Sequence, residues 1–184
     1  NINIDHIRQW KNGIISKMSD GLIRLCKQRD VDFVNGRGKF QNSNTMKISD
    51  GNSIKFDRCI LATGSQPYFP KDFLKFRSHL IDSTVALTLP MIPEKLLVIG
   101  GGYVGLEMGT VYAALGSRVT IVEMMNGLLP GVDRDLVRPL YAKIVKEFES
   151  VCLNTKIVSI AGNGKNKSVK MANMEEELEE SYDQ

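Results

Sequence analysis

The composition of the chain is that of a folded protein. Of its 184 residues, 42% are hydrophobic and 24% are charged, which excludes disorder throughout the chain. The net charge of +3 is the difference between 24 basic and 21 acidic side chains, and the basic residues are spread along the chain, so we expect no nucleic-acid partner. The longest apolar run, residues 96–106, is too short to cross a bilayer, and the N-terminus shows no signal-peptide pattern. We therefore expect a cytoplasmic protein that does not act at a membrane.

The first part of the chain is predicted to hold one helix and a small antiparallel meander. Apolar residues recur near a helical repeat in residues 4–28, which predicts an amphipathic helix with a bend near Gly13 or Gly21. Three strand-like runs follow, separated by the turn-forming sequences "QNSN" and "DGN". These runs are "VDFVNGRGKF", "TMKIS" and "SIKFDRCILATG". Residues 65–95 are rich in proline and aromatic residues without a clear period, and they are predicted to connect two lobes.

From Lys95 onward the pattern becomes strand, glycine turn, helix and strand, which predicts an α/β unit with a parallel sheet. The run "KLLVIG" is apolar at consecutive positions, as is typical of a parallel strand that is buried on both faces at a sheet centre. The helix "YVGLEMGTVYAAL" follows, Gly116 ends it as a C-cap, and "SRVTIVE" is the second strand. The acidic stretch "MANMEEELEES" is predicted to be a solvated face or a fraying end, and "AGNGKNKS" a hairpin tip or a loop.

The glycine turn between the first strand and its helix has the spacing of a nucleotide-binding motif. Gly100, Gly102 and Gly105 fit G-x-G-x-x-G, whose glycines permit a tight turn, close approach of a pyrophosphate, and close packing of helix and strand. The positive end of the helix dipole and its unpaired N–H groups favour an anion there. Glu123 ends the next strand 21 positions after Gly102, close to the spacing of about 20 in dinucleotide-binding proteins. The sequence therefore predicts a Rossmann-like dinucleotide site.

Glu123 favours NAD over NADP. Its carboxylate can accept hydrogen bonds from a ribose diol, but it repels a 2′-phosphate by about 4 kcal/mol per unit charge at about 4 Å and an effective dielectric near 20. The sequence "MMNGLL" that follows Glu123 contains no basic residue that could offset this repulsion. Arg118 lies about 16 Å back along the strand at about 3.3 Å per residue.

Glu107 is the only charged residue in the run "LVIGGGYVGLEMG". It is predicted either to be a solvated helix residue or to lie partly buried, with a partner or on a face that meets another lobe. Tyr103 lies four residues earlier, so both side chains project from the same side of the helix. That side is near the place where the nicotinamide half of a cofactor would extend, and both residues are catalytic candidates.

The order of these motifs resembles the dihydrolipoamide dehydrogenases of the flavoprotein disulfide reductase family. The resemblance rests on "VDFVNGRGKF", "FDRCILATGSQP" and "GGGYVGLEMGTVYAALGSRVTIVEMMNGLLPGVDRDLV", and it runs from "IDHIRQWK" to "LNTKIVSI". It implies the C-terminal part of an FAD-binding domain over residues 1–70, a connection over residues 71–92 and an incomplete NAD-binding domain over residues 93–184. It also implies an oxidoreductase that passes electrons from dihydrolipoyl groups through FAD to NAD. The implied partners are the lipoyl domains of acyltransferase subunits in 2-oxoacid dehydrogenase complexes or the glycine cleavage system, and a second copy in a homodimer.

The resemblance also implies residues for NAD. The pyrophosphate would lie against Gly100, Gly101, Gly102, Tyr103, Val104 and Gly105. Glu123 would bind the adenosine ribose. Ile157 would line the adenine pocket, although apolar packing explains Ile157 equally well. Tyr103 resembles a side chain that shields the flavin face, and Glu107 resembles a carboxylate that pairs with a lysine near flavin and nicotinamide.

The residues implied for FAD lie in the first seventy positions. Gly38 resembles a position where the backbone meets the adenine of FAD. Thr63, Gly64 and Ser65 resemble the turn beneath the flavin. Both stretches can also be explained as plain hairpin and strand-end turns.

The chain departs from the pattern of that family in three ways. It has no N-terminal G-x-G-x-x-G for the FAD pyrophosphate, no C-x-x-x-x-C disulfide and no C-terminal His and Glu pair. The spacing of its three cysteines indicates no metal site. We therefore expect an internal piece of the parent enzyme that is inactive alone. Two alternatives stay open: a non-catalytic NAD-binding module, and a sister reductase such as a mercuric reductase or a soluble transhydrogenase.

Overall fold

A computed structural model describes residues 2–162 and 166–184 of the chain. These residues are divided between two compact units, Asn3–Gln66 and Pro67–Gln184. The boundaries proposed from the sequence, at residues 70 and 92, stay a prediction. In the part of the chain that the structure describes, no helix is both long enough and apolar enough to span a membrane.

The first unit contains helix α1 (Ile4–Gln28) and a three-stranded antiparallel sheet. The Asn3 side chain caps α1 by accepting hydrogen bonds from the amides of Asp5 at 3.0 Å and His6 at 3.1 Å. The helix runs through both glycines at which the sequence predicted a bend. The sheet has the order β1 (Gly38–Asn42), β2 (Thr45–Ile48) and β3 (Ser53–Lys55), which confirms the predicted meander.

The strands of this meander are shorter than the apolar runs that predicted them. Residues 31–37 and 56–64 lie outside the strands. Within the described part of the chain no strand pairs with the second of these segments, and Ile60 is 92% exposed. A strand forms only where a neighbouring strand accepts its main-chain hydrogen bonds, so the apolar run alone does not make one.

The second unit contains a parallel sheet with the order β4 (Lys95–Ile99), β5 (Arg118–Val122) and β6 (Ser150–Cys152). Helix α3 (Tyr103–Ala114) joins β4 to β5, and α4 (Arg134–Glu147) precedes β6. This arrangement confirms the α/β class with a Rossmann-like parallel sheet.

The run "KLLVIG" predicted that β4 lies at the centre of the sheet. This prediction was wrong, because β5 is the central strand and β4 lies beside it. Val119 and Ile121 of β5 have no exposed surface, whereas β4 is largely half-buried. On the outer side of β4, the Leu97 amide donates to the Gln184 carbonyl at 2.9 Å, and the Gln184 amide donates to the Lys95 carbonyl at 3.3 Å. The apolar run reflects burial between layers, which an outer strand of a parallel sheet shares with a central one.

Residues 65–95, predicted as a connection without a clear period, contain helical segments that pack on the second unit. A 3-10 helix covers Lys71–His79, and a short helix α2 covers Ser83–Leu87. The 3-10 helix contributes an aromatic side chain to an apolar core that it shares with β5 and an antiparallel sheet. The members of this core are Phe76, Val122, Ile160, Val169, Met171 and Tyr182.

That antiparallel sheet consists of β7 (Lys156–Ala161), β8 (Lys167–Ala172) and β9 (Glu177–Tyr182). The acidic stretch, residues 171–181, runs from the end of β8 through the connection into β9, and its residues 173–181 are exposed. It is therefore a solvated face and not a fraying end. The two predicted alternatives for "AGNGKNKS" fall partly on residues 163–165, which lie outside the described residues.

Asp82 caps α2, whose Ala86 carbonyl accepts a 3.0 Å bond from Tyr112 of α3. The Val85 amide donates to Asp82 at 3.1 Å, and this bond, together with Arg77, holds the pKa of the Asp82 carboxyl below its ordinary value of 3.8. Because the folded pKa is the lower one, the stabilisation is present above about pH 4 and is lost as the pH falls through the folded pKa.

We expect Asp82→Ala to lower the free energy of unfolding by about 1 kcal/mol at pH 7, because the cap is lost. Asp82→Asn keeps a capping oxygen, so it should lose less at pH 7 and should remove the acid dependence that Asp82 contributes. Urea unfolding at pH 7 and pH 3 measures both effects. Equal losses for the two variants at pH 7 would show that the cap does not stabilise α2.

Candidate functional site

The glycine turn at the carboxyl end of β4 is held against β5. Gly100 has φ of +107°, a left-handed conformation that residues with a Cβ rarely adopt. Its amide donates to the Val122 carbonyl at 2.8 Å, which fixes the turn beside the end of β5. The left-handed backbone conformation of the turn therefore explains why its first residue, Gly100, is a glycine.

The second and third glycines of the motif have different surroundings. A Cβ added to Gly105 would collide with the Gly100 carbonyl oxygen and lie 3.1 Å from Cγ1 of Val98, so α3 packs on the turn at a distance that only glycine permits. A Cβ added to Gly102 has no heavy atom of the described residues within 4 Å. Gly102 therefore borders open space, which is the surrounding expected where a ligand approaches the backbone.

Helix α3 begins beside this open space without a side-chain cap. Gly102 is its N-cap, and no side chain bonds to the first-turn amides there. The amides of Tyr103, Val104 and Gly105 belong to the first turn, whose N–H groups have no acceptor within a helix. These donors and the helix dipole produce a site with positive potential that suits an anion.

Glu123 follows β5 and lies directly beside the glycine turn. It is 9% exposed, and its carboxylate accepts hydrogen bonds from the Gly101 amide at 2.7 Å and the Met125 amide at 2.8 Å. A carboxylate has about four acceptor positions, so two remain for another ligand. Sequence reasoning predicted Glu123 but missed both amide donors.

Gly101 contacts Glu123 closely enough to exclude a side chain. An added Cβ would lie 3.2 Å from Cβ and Cγ of Glu123 and 2.7 Å from Cδ2 of Leu128. Gly101 occupies a variable position of the G-x-G-x-x-G pattern, and the run of three consecutive glycines was the only signal in the sequence for this contact. Arg134, which binds the loop that contains Leu128, was also missed, and no pattern in the sequence indicated it.

The two catalytic candidates lie on exposed surface of α3. Tyr103 is 71% exposed and Glu107 is also exposed, so the two share the accessible side that their spacing predicted. The Glu107 carboxylate is solvated and has no ion-pair partner in residues 2–162 and 166–184. The structure brings Tyr103 and Val104 to the glycine turn, and the catalytic roles of Tyr103 and Glu107 stay predictions.

Ile157 lies on β7 and packs against the apolar core of the second unit. An open hollow of about 260 Å³ lies beside β7, next to the residues that follow Glu123. Its lining consists of Met124, Asn154, Thr155, Lys156, Ala172, Asn173 and Met174, and so does not include Ile157. Apolar packing explains Ile157, and its contact with adenine stays a prediction.

The residues proposed for FAD lie in the first unit. A Cβ added to Gly38 would collide with Sδ of Met46, so packing within the sheet explains this glycine. Gly64 has φ of +69° and lies with Thr63 and Ser65 in an exposed segment without regular structure. Their contacts with FAD stay predictions. Among the described residues, no group of three or more His, Cys, Asp or Glu side chains could hold a metal ion.

Comparison with known proteins identifies the family of the chain. A family model described as "Pyridine nucleotide-disulphide oxidoreductase" matches residues 2–184. The chain belongs to this oxidoreductase family. Its relatives within the pyridine nucleotide-disulphide oxidoreductases include the dihydrolipoyl dehydrogenase of Vibrio cholerae, which is 41% identical over 163 residues, covering 86% of this chain and 34% of the relative. The dihydrolipoyl dehydrogenase 2 of Haloarcula marismortui is 37% identical over 141 residues, or 73% of this chain and 30% of the relative.

A solved structure has a similar fold. It is the Cu(II) complex of the HOCl-induced flavoprotein disulfide reductase RclA from Escherichia coli, with a TM-score of 0.81 and 24% identity. The alignment covers 99% of this chain and 41% of that one. This pyridine nucleotide-disulphide oxidoreductase chain spans about a third of the length of the curated relatives named above.

Proposed function

We propose that this chain binds NAD at the glycine turn between β4 and α3. The observation that carries the proposal is the open space at Gly102, at the uncapped start of α3, with the Glu123 carboxylate held beside it by Gly101. The amides of the first helical turn would bind the pyrophosphate, because they are the donors without an acceptor in the helix. The two remaining acceptor positions of Glu123 suit the two hydroxyls of the adenosine ribose.

We propose further that the intact protein is a dihydrolipoyl dehydrogenase that uses FAD and NAD. The support is the set of relatives that bear this name, together with the fit of the glycine turn to a dinucleotide. When bound, FAD supplies hydride transfer between the dithiol half of the reaction and NAD. The proposed partners are lipoyl domains of acyltransferase subunits and a second copy of the chain, and the proposed location is the cytoplasm.

Within this reaction, Tyr103 and Glu107 are proposed to act on the nicotinamide side of the site. Both project from the accessible side of α3, and Tyr103 belongs to the turn that would hold the pyrophosphate. The exposed ring of Tyr103 can shield a neighbouring cofactor face and move when nicotinamide enters. The exposed carboxylate of Glu107 can pair with a cation and orient it. On the FAD side, the fit depends on the exposed residues 63–65, because packing against Met46 already explains Gly38.

Calorimetry with three ligands tests the NAD site. ADP-ribose keeps the pyrophosphate and the adenosine ribose, so it should bind with an affinity within about tenfold of that of NAD. Nicotinamide mononucleotide lacks the adenosine and should bind far more weakly. An affinity for nicotinamide mononucleotide equal to that for NAD, or no binding of ADP-ribose, would place the cofactor elsewhere.

The activity of the intact protein is tested by following NAD reduction with dihydrolipoamide as the electron donor. Mercuric ion with NADPH, and transfer between NADPH and NAD, are the matched assays for the two sister activities. Turnover with either of these and none with dihydrolipoamide would contradict the proposed substrate without affecting the NAD site.

A further inference from the structure

Arg134, the first residue of α4, binds the loop that precedes it. Its Nη1 donates to the Leu128 carbonyl at 2.9 Å, and its Nη2 donates to the carbonyls of Leu129 at 2.5 Å and Val132 at 2.6 Å. Its Nε donates to the same Val132 carbonyl at 3.0 Å. Gly127 leaves room for the guanidinium, because an added Cβ would lie 2.9 Å from Nη1. One side chain therefore binds three carbonyls of residues 128–132.

The same loop contacts the glycine turn on its other side. The Leu129 amide donates to the Gly101 carbonyl at 2.8 Å, although φ of Leu129 is +51°, a conformation that leucine rarely adopts. Leu128 is 1% exposed, and its Cδ2 lies in the space that a side chain on Gly101 would need. The carbonyl bonds to Arg134 hold the loop in this unfavourable path.

Gly101 connects the loop to the carboxylate of the proposed site. Its carbonyl accepts the bond from Leu129, and its amide donates to Glu123 at 2.7 Å. A change in the position of the loop would therefore displace the Gly101 carbonyl, and with it the Gly101 amide that binds Glu123. The contacts run without a gap from the Arg134 guanidinium through the loop and Gly101 to Glu123.

Arg134 acts through this loop and has at most one N–H donor left for a phosphate. A guanidinium has five N–H donors, and the four hydrogen bonds to carbonyls use four of them. We propose that Arg134 is a positioning residue for the dinucleotide site: it holds residues 128–132 against Gly101 and so keeps Glu123 in place for the adenosine ribose. The consequence for ligand binding rests on the NAD site proposed above, whereas the contact with the loop does not.

Calorimetry on the full chain with NAD and NADP tests the consequence for binding. Arg134→Met keeps much of the aliphatic stem and removes every donor, and we expect it to weaken NAD binding about tenfold. The preference for NAD over NADP should narrow as well, because a displaced Glu123 no longer opposes the 2′-phosphate. Arg138→Met is the matched control, since it removes the same charge from an exposed position one turn later in α4, and it should change neither value. Unchanged NAD affinity in Arg134→Met, or an equal loss for both dinucleotides, would overturn the positioning role.

Amide hydrogen exchange without any cofactor tests the contact itself. In Arg134→Met, the amides of Leu129, Gly101 and Met125 should exchange about tenfold faster than in the original chain, and in Arg138→Met they should not. Unchanged exchange in Arg134→Met would refute the inference whether or not NAD binds. If the original chain binds no NAD but Arg134→Met speeds exchange, the proposed function fails and the structural role of Arg134 stands. Should Arg134→Met not fold, Arg134→Lys, which can replace only part of the bonds, should give a smaller change in the same direction.

Discussion

Glu123→Gln should weaken NAD binding by about tenfold to a hundredfold, because charge-assisted hydrogen bonds to a ribose diol are replaced by neutral ones. It should also narrow the preference for NAD over NADP. The like-charge term is about 4 kcal/mol at about 4 Å and an effective dielectric near 20, so the preference can narrow by up to roughly a thousandfold. The two changes have one cause, which is the loss of negative charge beside the ribose.

The structure adds a second expectation for this variant. The Gly101 and Met125 amides both donate to the Glu123 carboxylate, and a glutamine offers only one oxygen to the two donors. A buried donor without a partner costs about 1–3 kcal/mol, so Glu123→Gln should also lower the free energy of unfolding.

Calorimetry with NAD and NADP, with urea unfolding beside it, measures these effects. Glu147→Gln is the matched control, because it removes the same charge from an exposed position of α4, where Glu147 pairs with Lys143 at 3.7 Å. It should change the affinities and the stability little. If Glu123→Gln kept the original ratio of NAD to NADP affinity, the charge of Glu123 would not be the source of the cofactor preference.

The strand, turn and helix around the glycine motif could be predicted because each has a local cause. Apolar runs formed β4 and β5, Gly100 has a left-handed φ, and the helix ends in a turn where Gly116 has φ of +107°. In that turn the Ser117 amide donates to the Tyr112 carbonyl at 2.9 Å, which is the bonding pattern of a glycine-terminated helix. These features depend on few residues close in sequence, which is why pattern reasoning found them.

The antiparallel sheet was missed because its strands depend on one another. In β8 the buried Val169 and Met171 alternate with exposed or half-buried neighbours. Lys167 lies on the same buried face, but a charged residue there hides the apolar alternation in the sequence. Half of the residues of strand β9 are glutamates, and acidic residues are depleted in strands. It forms because β8 lies opposite, where Lys170 pairs with Glu179 in the register and their side chains lie 3.6 Å apart.

The dinucleotide site was predicted in its glycines and its acidic residue but not in what holds them. The bond from Gly101 to Glu123 and the path of Leu129 depend on a loop whose left-handed residue is a leucine. No composition signal marks such a residue, since a left-handed conformation is expected of glycine or asparagine. The contacts of Arg134 became visible only with the loop in place.

Gly102→Ala and Gly105→Ala should separate the affinity of this site for NAD from the stability of the fold. At Gly105 a methyl group would collide with the Gly100 carbonyl oxygen, and such overpacking typically costs about 1–3 kcal/mol of stability. At Gly102, φ is −75° and no described heavy atom lies within 4 Å of the added carbon. There the entropic gain of alanine, about 0.4–1 kcal/mol, and its weaker capping nearly cancel, so stability should change little.

The affinity for NAD, in contrast to the stability, should fall in Gly102→Ala. In Gly102→Ala the methyl group occupies the space into which the pyrophosphate would move, and NAD binding should fall by at least about tenfold in a chain that unfolds at nearly the original urea concentration. Gly13→Ala provides the matched control, because it makes the same substitution at an equally open position of α1 and should leave NAD binding unchanged. A Gly102→Ala variant that binds NAD as the original chain does would mean that the open space at the start of α3 is not where the pyrophosphate lies. Loss of binding without loss of stability, in contrast, is the result expected of a ligand that approaches the backbone at Gly102.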